Sequence, residues 1–278
     1  MSLPVALQVY SVRDDMAEDF TGTLKKIKEM DYDGIEWGGV NIWDFSEVKK
    51  IIDDIGLISI SAHVPYEVIM SDIEKVLKDY KSLGCEYIAI PWLDMDKVPG
   101  GKDFDKTVES IKQIGKIGND IGIKLLYHNH EFEFVKIDGK YGLDVLYDSV
   151  PEDLLGTQVD TCWVKVARVD PAEYIRKYKG RAPVVHLKDF IIEGEVKGSL
   201  YGLVGKDTEP SGSGDETISR KGFDFRPIGQ GMQDIPSILD ASLFVGAKWV
   251  VVEQDSSSTC TPIEAAKLSR EYLKSLGW

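Results

Sequence analysis

The chain has 278 residues, of which 43% are hydrophobic and 29% are charged, and its formal net charge at pH 7 is −14. The apolar fraction is sufficient for a folded core and excludes a disordered chain, whereas the acidity disfavours binding to nucleic acid. The sequence shows neither an apolar run long enough for a membrane span nor a signal peptide, and three cysteines without CxxC spacing fit a reduced, cytoplasmic protein.

Short β-type runs alternate with amphipathic helical runs along the chain. The predicted strands are residues 5–10, 34–37, 57–64, 86–92, 123–130, 156–163, 182–190 and 248–255. The predicted helices are residues 17–30, 45–56, 71–84, 104–122, 141–150, 170–180, 234–246 and 261–277. This alternation is typical of parallel strands joined by helical crossovers. Eight such repeats favour a (β/α)8 TIM barrel over a doubly wound sheet, as one domain over residues 1–278.

One segment breaks this rhythm after the seventh predicted strand. Residues 190–233 are rich in glycine, serine and charged residues, as in EPSGSGDE and RKGFDFRPIGQG. In a barrel, a loop at this position lies over the C-terminal face, where the active sites of the fold are found. A lid or partner-contacting loop and a plain surface insertion both fit the composition. The GQG at 229–231 follows no predicted strand, which favours a turn over a nucleotide-binding loop.

Polar side chains at the C-terminal ends of the predicted strands form the candidate site. Packing alone would favour apolar residues at these positions, and all four histidines of the chain fall there. The strand ends carry Gln8, Tyr10, Glu36, His63, His128, Asn129, His130, Asp160, His186, Lys188, Glu253 and Asp255.

A divalent metal site is predicted from the last four strands. Asp160, His186 and Glu253 follow neighbouring strands, and His128 or His130 would supply a fourth corner. Two carboxylates with one or two imidazoles suit Mn²⁺, Mg²⁺, Co²⁺ or Zn²⁺. Individually, Asp160 could cap a helix, and the other two could be satisfied polar groups. Their joint position at one barrel end favours a site.

Seven segments, in this order and spacing, resemble the sugar phosphate isomerase/epimerase family of xylose isomerase-like TIM barrels, which is related to inosose dehydratase, tagatose epimerase and endonuclease IV. The segments are LQVYSVRDDM (7–16), GIEWGG (34–39), SAHVP (61–65), YHNHEFEF (127–134), VDTCW (159–163), HLKDF (186–190) and VVEQD (251–255). The resemblance implies one divalent metal held by Glu, Asp, His and Glu from strands five to eight. Asp160, His186 and Glu253 match the last three of these ligands.

Strand five departs from the family pattern. The chain has Leu-Tyr-His-Asn-His where many relatives carry a glutamate. Alignment of His-Asn with the Glu-Asn of those relatives implies His128 as the fourth metal ligand. His130, Glu131 and Glu133 are the rival candidates.

The resemblance also implies proton-transfer chemistry on a sugar, keto-sugar or cyclitol. A divalent cation that polarises a carbonyl stabilises the enediolate formed when the neighbouring proton is removed. Glu253 is the predicted base on one face of the substrate, and the candidates on the other face are His128, His130 and Glu133, of which His130 and Glu133 are preferred. Isomerisation, epimerisation and dehydration of the inosose dehydratase type all share this first step.

The remaining polar and aromatic groups are predicted to contact the carbohydrate. Glu36 and His63 could bind hydroxyls, and Lys188 could bind a hydroxyl, carboxylate or phosphate unless it forms a salt bridge with a site carboxylate, Glu36 or Asp160. Trp163 could form an apolar wall or could be ordinary packing. The predicted substrate-binding residues are Glu36, His63, Asn129, Lys188 and Trp163.

Three other functions compete with this prediction. An endonuclease IV-like enzyme would need more histidines and a basic groove, which four histidines and a charge of −14 disfavour. A sugar-binding barrel without catalysis would explain the departure in strand five. An enzyme subunit that needs a partner is suggested only by the segment 190–233. Dimers are frequent in the superfamily, so a homo-oligomer is compatible with the resemblance.

Overall fold

Eight parallel strands close into a barrel in the computed structural model, which describes residues 2–193 and 222–278. Each strand pairs with the next, and the eighth pairs with the first. The barrel strands β1 to β8 are Val5–Gln8, Gly34–Trp37, Ile58–His63, Tyr87–Ile90, Lys124–His128, Gly156–Asp160, Val184–Leu187 and Trp249–Val252. The predicted TIM-barrel fold is confirmed.

Helices cover the outside of the barrel and form for local reasons visible in the sequence. The helix Pro171–Lys177 begins where Asp170 accepts a hydrogen bond from the Glu173 N–H, with Pro171 as its first residue. The described α-helices are Arg13–Glu18, Phe20–Glu29, Phe45–Ile55, Tyr66–Ser71, Ile73–Ser82, Phe104–Ile121, Gly142–Ser149, Thr161–Val166, Pro171–Lys177, Ile235–Val245 and Pro262–Ser275. Short 3-10 turns cover Val9–Val12 and Phe132–Phe134.

Seven of the eight barrel strands end earlier than predicted, and in two of them the last side chain turns the chain. The Gln8 side chain accepts a hydrogen bond from the Tyr10 N–H, and the 3-10 turn starts there. Asp160 accepts hydrogen bonds from the Cys162 and Trp163 N–H groups and starts the next helix. These polar residues therefore end a strand and fix the direction of their own side chains.

The segment predicted as an insertion begins and ends in an antiparallel hairpin, Asp189–Ile192 with Phe223–Arg226. Phe190, Phe223 and Phe225 pack there with Trp163 as one buried aromatic cluster. Residues 194–221 lie outside the described residues, so the prediction of a lid or partner loop is untested. A second hairpin joins Lys136–Ile137 and Lys140–Tyr141 after β5.

Apolar side chains pack on both faces of the barrel strands, one set inside the barrel and the other between the strands and the helices. Alternation along each strand decides which side chains point into the barrel interior. Leu126 belongs to the small cluster inside the barrel, whereas Tyr127 belongs to the larger layer between strands and helices. His128 therefore faces inwards at the end of β5. Within the described ranges, no helix is both long enough and apolar enough to cross a membrane.

Candidate functional site

Four buried side chains meet at the C-terminal end of the barrel. His128 ends β5, Asp160 ends β6, His186 lies in β7, and Glu253 follows β8 directly. The β6–β7 register places Asp160 opposite His186. One potential ligand atom from each of the four residues lies within 4.8 Å of the others. The structure thus brings together the residues predicted as metal ligands, and it leaves His130, Glu131 and Glu133 outside this group; their roles stay predictions.

The two oxygens of Asp160 serve different neighbours. Oδ1 accepts hydrogen bonds from the N–H groups of Cys162, at 2.8 Å, and Trp163, at 3.1 Å. Oδ2 is buried, lies 3.6 Å from His128 Nε2, and accepts no hydrogen bond within the described part of the chain. The capping role considered as an alternative is therefore real, and it leaves one oxygen directed at the cluster.

Lys188 supplies positive charge beside this cluster. Its buried Nζ lies 2.8 Å from Asp255 Oδ1, 3.1 Å from Glu253 Oε2 and 3.6 Å from Asp160 Oδ2. Burial alone would lower the Lys188 pKa, but these carboxylates raise it well above its usual value. Of the two salt bridges considered from the sequence, the structure contains the one to Asp160. Lys188 is thus a buried ammonium rather than a group exposed to a substrate.

Buried negative charge exceeds buried positive charge at the site. Burial raises the pKa of Asp160 to about 6 although Lys188 opposes the shift. Burial alone would lower the His186 pKa, but Glu36 and Glu253 raise it to about 10. Both shifts mean that protons compensate the excess carboxylate charge. Two imidazoles and two carboxylates, one of which has an oxygen without a hydrogen bond from the described residues, are a donor set that fits a divalent cation, which would supply the same compensation.

Glu36 forms the floor beneath the cluster. Its Oε2 lies 2.6 Å from His186 Nε2 and accepts a hydrogen bond of 2.8 Å from Gln8 Nε2. Its Oε1 accepts hydrogen bonds from Ser61 Oγ and, at 2.6 Å, from Gln158 Nε2. Glu36 is completely buried, and both oxygens contact protein groups. This geometry does not support the predicted contact of Glu36 with sugar hydroxyls.

Gln158 is a site residue that the sequence analysis missed. Its Oε1 lies 2.6 Å from His63 Nε2 and 3.1 Å from His128 Nδ1, and the β5–β6 register places it opposite His128. The available signal was its position two residues before Asp160, which puts both side chains on the inner face of β6. A neutral amide inside a strand belongs to no recognisable motif.

Two predicted residues of the YHNHEFEF segment have structural contacts instead. Asn129 Oδ1 accepts a 2.9 Å hydrogen bond from the Asp160 N–H, and its Nδ2 donates to the Asp160 carbonyl at 3.3 Å. Glu133 accepts hydrogen bonds from the Tyr127 hydroxyl at 2.6 Å and the His130 N–H at 2.7 Å. Both are buried. Asn129 braces β5 against β6, and Glu133 lies on the outer side of β5, which does not support substrate contact or proton transfer.

His63 and His130 are the predicted site residues that keep partly exposed side chains. The His130 ring lies 5.3 Å from that of His128 and 5.5 Å from that of Trp163, between ring centroids. Burial and the charge of Lys188 lower the His130 pKa well below its usual value, which keeps the imidazole neutral. Trp163 itself is buried under the aromatic cluster. In the described structure, Trp163 therefore packs within this aromatic cluster.

Curated relatives of the chain include inosose dehydratases. An inosose dehydratase of Clostridium perfringens is 29% identical over 191 residues, which cover 66% of this chain and 58% of that protein. The matched part thus amounts to little more than half of that relative's length.

Two solved structures share the fold over nearly their whole length. A sugar phosphate isomerase/epimerase from Parabacteroides distasonis superposes with a TM-score of 0.76 and 21% identity, covering 98% of each chain. A xylose isomerase-like TIM barrel protein from Mycobacterium smegmatis, in complex with magnesium, superposes with a TM-score of 0.68 and 15% identity, covering 99% of this chain and 96% of that one. A family model described as xylose isomerase-like TIM barrel matches residues 24–276. The chain therefore belongs to the xylose isomerase-like TIM barrel family.

Proposed function

We propose that the chain is a divalent-metal-dependent enzyme that isomerises or epimerises a sugar, keto-sugar or cyclitol by moving a proton next to a carbonyl group. The cluster of His128, Asp160, His186 and Glu253 carries this proposal, because four potential ligand atoms converge and Asp160 Oδ2 accepts no hydrogen bond from any described residue. The magnesium complex of a family neighbour adds support for a divalent cation.

The four cluster residues would hold the cation. A cation bound there supplies Lewis-acid polarisation of the substrate carbonyl and stabilises the enediolate left by proton removal. Burial would raise the Glu253 pKa, but Lys188 and His186 lower it well below its usual value. Glu253 is therefore ionised at neutral pH, as a base must be. The Lys188 ammonium, 3.1 Å away, fixes the position of this carboxylate.

His130 is the proposed second acid/base group. Its imidazole is neutral, is partly exposed, and lies next to the cluster. The Glu133 carboxylate accepts the His130 N–H and so holds the backbone that carries the imidazole. A histidine opposite a glutamate gives two unlike groups on the two faces of a substrate. This arrangement supports proton return to either a neighbouring carbon or the opposite face.

Dehydration is the second candidate, and the inosose dehydratase relative favours it. Loss of a hydroxyl group starts with the same proton removal and then needs an acid that protonates the leaving oxygen. If His130 removes the proton, the resulting imidazolium can return it to the leaving hydroxyl, so that water departs and a carbon–carbon double bond forms. The two candidates therefore use the same residues and differ in the bond that breaks next.

Proton exchange in deuterated buffer tests the proposal. We expect the Mg²⁺-, Mn²⁺- or Co²⁺-loaded protein to introduce deuterium next to the carbonyl of at least one member of a panel of ketoses, keto-sugars and inososes. EDTA and Glu253→Gln should abolish exchange, and His130→Asn should slow it by about 10²–10⁴-fold. Glu271→Gln, at an exposed glutamate of the last helix, is the matched control.

The products separate the candidates. A new diastereomer or positional isomer supports the isomerase, and an unsaturated or deoxygenated product supports the lyase. Metal binding without exchange on any member of the panel overturns both and favours a sugar-binding barrel.

A further inference from the structure

A chain of hydrogen bonds beneath the cluster fixes the orientation of the Gln158 amide. Gln158 Nε2 donates to Glu36 Oε1 at 2.6 Å. An ionised carboxylate only accepts hydrogen bonds, so the flipped amide would bring two acceptor oxygens together. Glu36 also accepts hydrogen bonds from Gln8 Nε2 and Ser61 Oγ, so both of its oxygens act as acceptors. The Gln158 oxygen must therefore face the histidines.

The amide oxygen then decides where His128 carries its proton. Gln158 Oε1 lies 3.1 Å from His128 Nδ1, and this oxygen is an acceptor only. An imidazole that binds a metal ion is neutral and carries one proton. A neutral imidazole with its proton on Nδ1 has its lone pair on Nε2. His128 Nε2 is the nitrogen 3.6 Å from the unbonded Asp160 Oδ2.

Glu36 acts on His186 directly. Its Oε2 lies 2.6 Å from His186 Nε2, and a carboxylate at this distance favours a proton on that nitrogen. The other nitrogen, Nδ1, lies 3.0 Å from Glu253 Oε2 and is the one that faces the cluster. The buried Glu36 carboxylate thus orients two imidazoles. It acts on His128 through the Gln158 amide and on His186 by direct contact.

The same contacts disfavour a competing arrangement of ligands. His63, His128 and His186 also offer potential ligand atoms within 4.8 Å of one another. His63 Nε2 lies 2.6 Å from Gln158 Oε1, so the nitrogen facing the amide carries a proton and offers no lone pair. The amide oxygen therefore occupies one nitrogen each of His63 and His128.

We propose that Glu36 and Gln158 are positioning residues that select His128 Nε2 and His186 Nδ1 as the cation-binding atoms; this rests on the proposed function. Outer-shell partners of metal-binding imidazoles typically contribute 10–100-fold to metal affinity. Glu36 is then part of the site without touching the substrate, and its test needs a readout that does not depend on turnover.

Long-range ¹H–¹⁵N NMR of the histidine-labelled, metal-free protein tests the tautomer, and only four histidines need assignment. We expect His128 to carry its proton on Nδ1 in the wild type and to lose this preference in Gln158→Leu. Calorimetric titration with Co²⁺ should show an affinity about 10–100-fold lower in Gln158→Leu and in Glu36→Gln. Glu271→Gln, at an exposed glutamate of the last helix, is the matched control for Glu36→Gln because it lies outside this chain of contacts. Its Co²⁺ affinity should stay within about twofold of wild type.

Two results overturn the inference alone: a wild-type His128 protonated on Nε2, or variants that fold and bind Co²⁺ like the wild type. Failure of the wild type itself to bind Co²⁺, Mn²⁺ or Mg²⁺ overturns the proposed function instead. Thermal unfolding of each variant shows whether it is folded. Because Gln158→Leu and Glu36→Gln break different contacts, one variant that folds is sufficient for the test.

Discussion

The Nζ of Lys188 lies 3.1 Å from Oε2 of Glu253, and both side chains are buried. Asp255 and Asp160 lie at 2.8 and 3.6 Å from the same ammonium. One buried cation thus bridges three carboxylates, two of which are proposed metal ligands. Because a buried charge is tolerated only when it is paired, Lys188 belongs to the charge balance of the site.

Lys188→Met should destabilise the metal-free protein by about 3–5 kcal/mol, because it leaves buried carboxylates without their partner. A divalent cation at the cluster replaces part of the lost charge, so Co²⁺ should stabilise the variant more than the wild type. Thermal unfolding in EDTA and in saturating Co²⁺ measures both effects. Lys267→Met is the control, since this exposed lysine lies 3.9 Å from Glu271 and should matter by about 0.5 kcal/mol or less. Equal stability of the Lys188 variant and wild type in EDTA would refute the charge-balance role.

Two substitutions of Asp160 should separate its role as a helix cap from its role as a metal ligand. Asp160→Asn keeps an oxygen for the helix N–H groups but removes the charge, so Co²⁺ affinity should fall by at least about 100-fold, beyond the loss of an outer-shell partner. Asp160→Ala removes the charge and the cap, so it should be about 1 kcal/mol less stable than Asp160→Asn. Calorimetry and urea unfolding measure the two quantities.

Asp170→Ala provides the matched comparison for the cap. Asp170 caps the helix Pro171–Lys177, so this variant should lose about 1 kcal/mol of stability and bind Co²⁺ like the wild type. Unchanged Co²⁺ affinity in Asp160→Asn would remove Asp160 from the proposed ligands.

The barrel and the convergence of four side chains could be predicted because both follow from periodicity. The run Gly34–Trp37 forms a strand with the predicted bounds, since Ile35 and Trp37 are apolar and turn-forming residues flank the run. Asp160 and His186 lie at inward positions of adjacent strands, and the parallel register brings them opposite each other. Alternation and register are properties of regular strands, which a sequence pattern can reveal.

Glu133 and Gln158 show where such reasoning ends. β5 stops at His128, and the chain then turns, so strand alternation says nothing about the direction of the Glu133 side chain. Gln158 keeps the correct parity but is uncharged, and its importance depends on contacts to Glu36, His63 and His128 from three other strands. Contacts of this kind depend on the closed barrel and have no local signal.

Glu133→Gln should change the pH dependence of stability rather than abolish activity. Burial raises the Glu133 pKa from 4.5 to about 8. Between these values the folded protein holds a proton that the unfolded chain has lost, so wild-type stability falls as pH rises and levels off above pH 8. The variant lacks this group, and its amide can accept from the His130 N–H and donate to the Tyr127 hydroxyl.

Urea unfolding of both proteins at pH 5, 6, 7 and 8 measures this effect. The free energy of unfolding of Glu133→Gln, relative to wild type, should rise with pH by up to about 1.4 kcal/mol per pH unit. If the free energies of unfolding of the two proteins changed with pH in the same way, the Glu133 pKa would not be raised. Loss of proton exchange in a folded Glu133→Gln variant would restore the proton-transfer role that the sequence suggested.

We expect Asp189 to fix the backbone conformation of the segment that contains GQG (229–231). Its buried carboxylate accepts four backbone N–H groups, from Phe190 and Gln233 at Oδ1 and from Gly229 and Gly231 at Oδ2, at 2.9–3.1 Å. A Cβ at Gly231 would lie 2.1 Å from Asp189 Oδ1, so the glycine permits this close approach. The hydrogen bonds to Asp189 thus hold the GQG segment against the chain that follows β7.

Asp189→Asn replaces one accepting oxygen by an NH₂ group that faces backbone donors. Hydrogen bonds to a charged group contribute about 1.5–3 kcal/mol each, so amide exchange at residues 229–233 should accelerate by about 10–100-fold. Hydrogen–deuterium exchange with mass spectrometry measures this change. Asp234→Asn is the control, because Asp234 caps the following helix and should leave the exchange of Gly229 and Gly231 unchanged. Equal exchange in Asp189→Asn and wild type would show that the backbone conformation at residues 229–233 holds without the carboxylate.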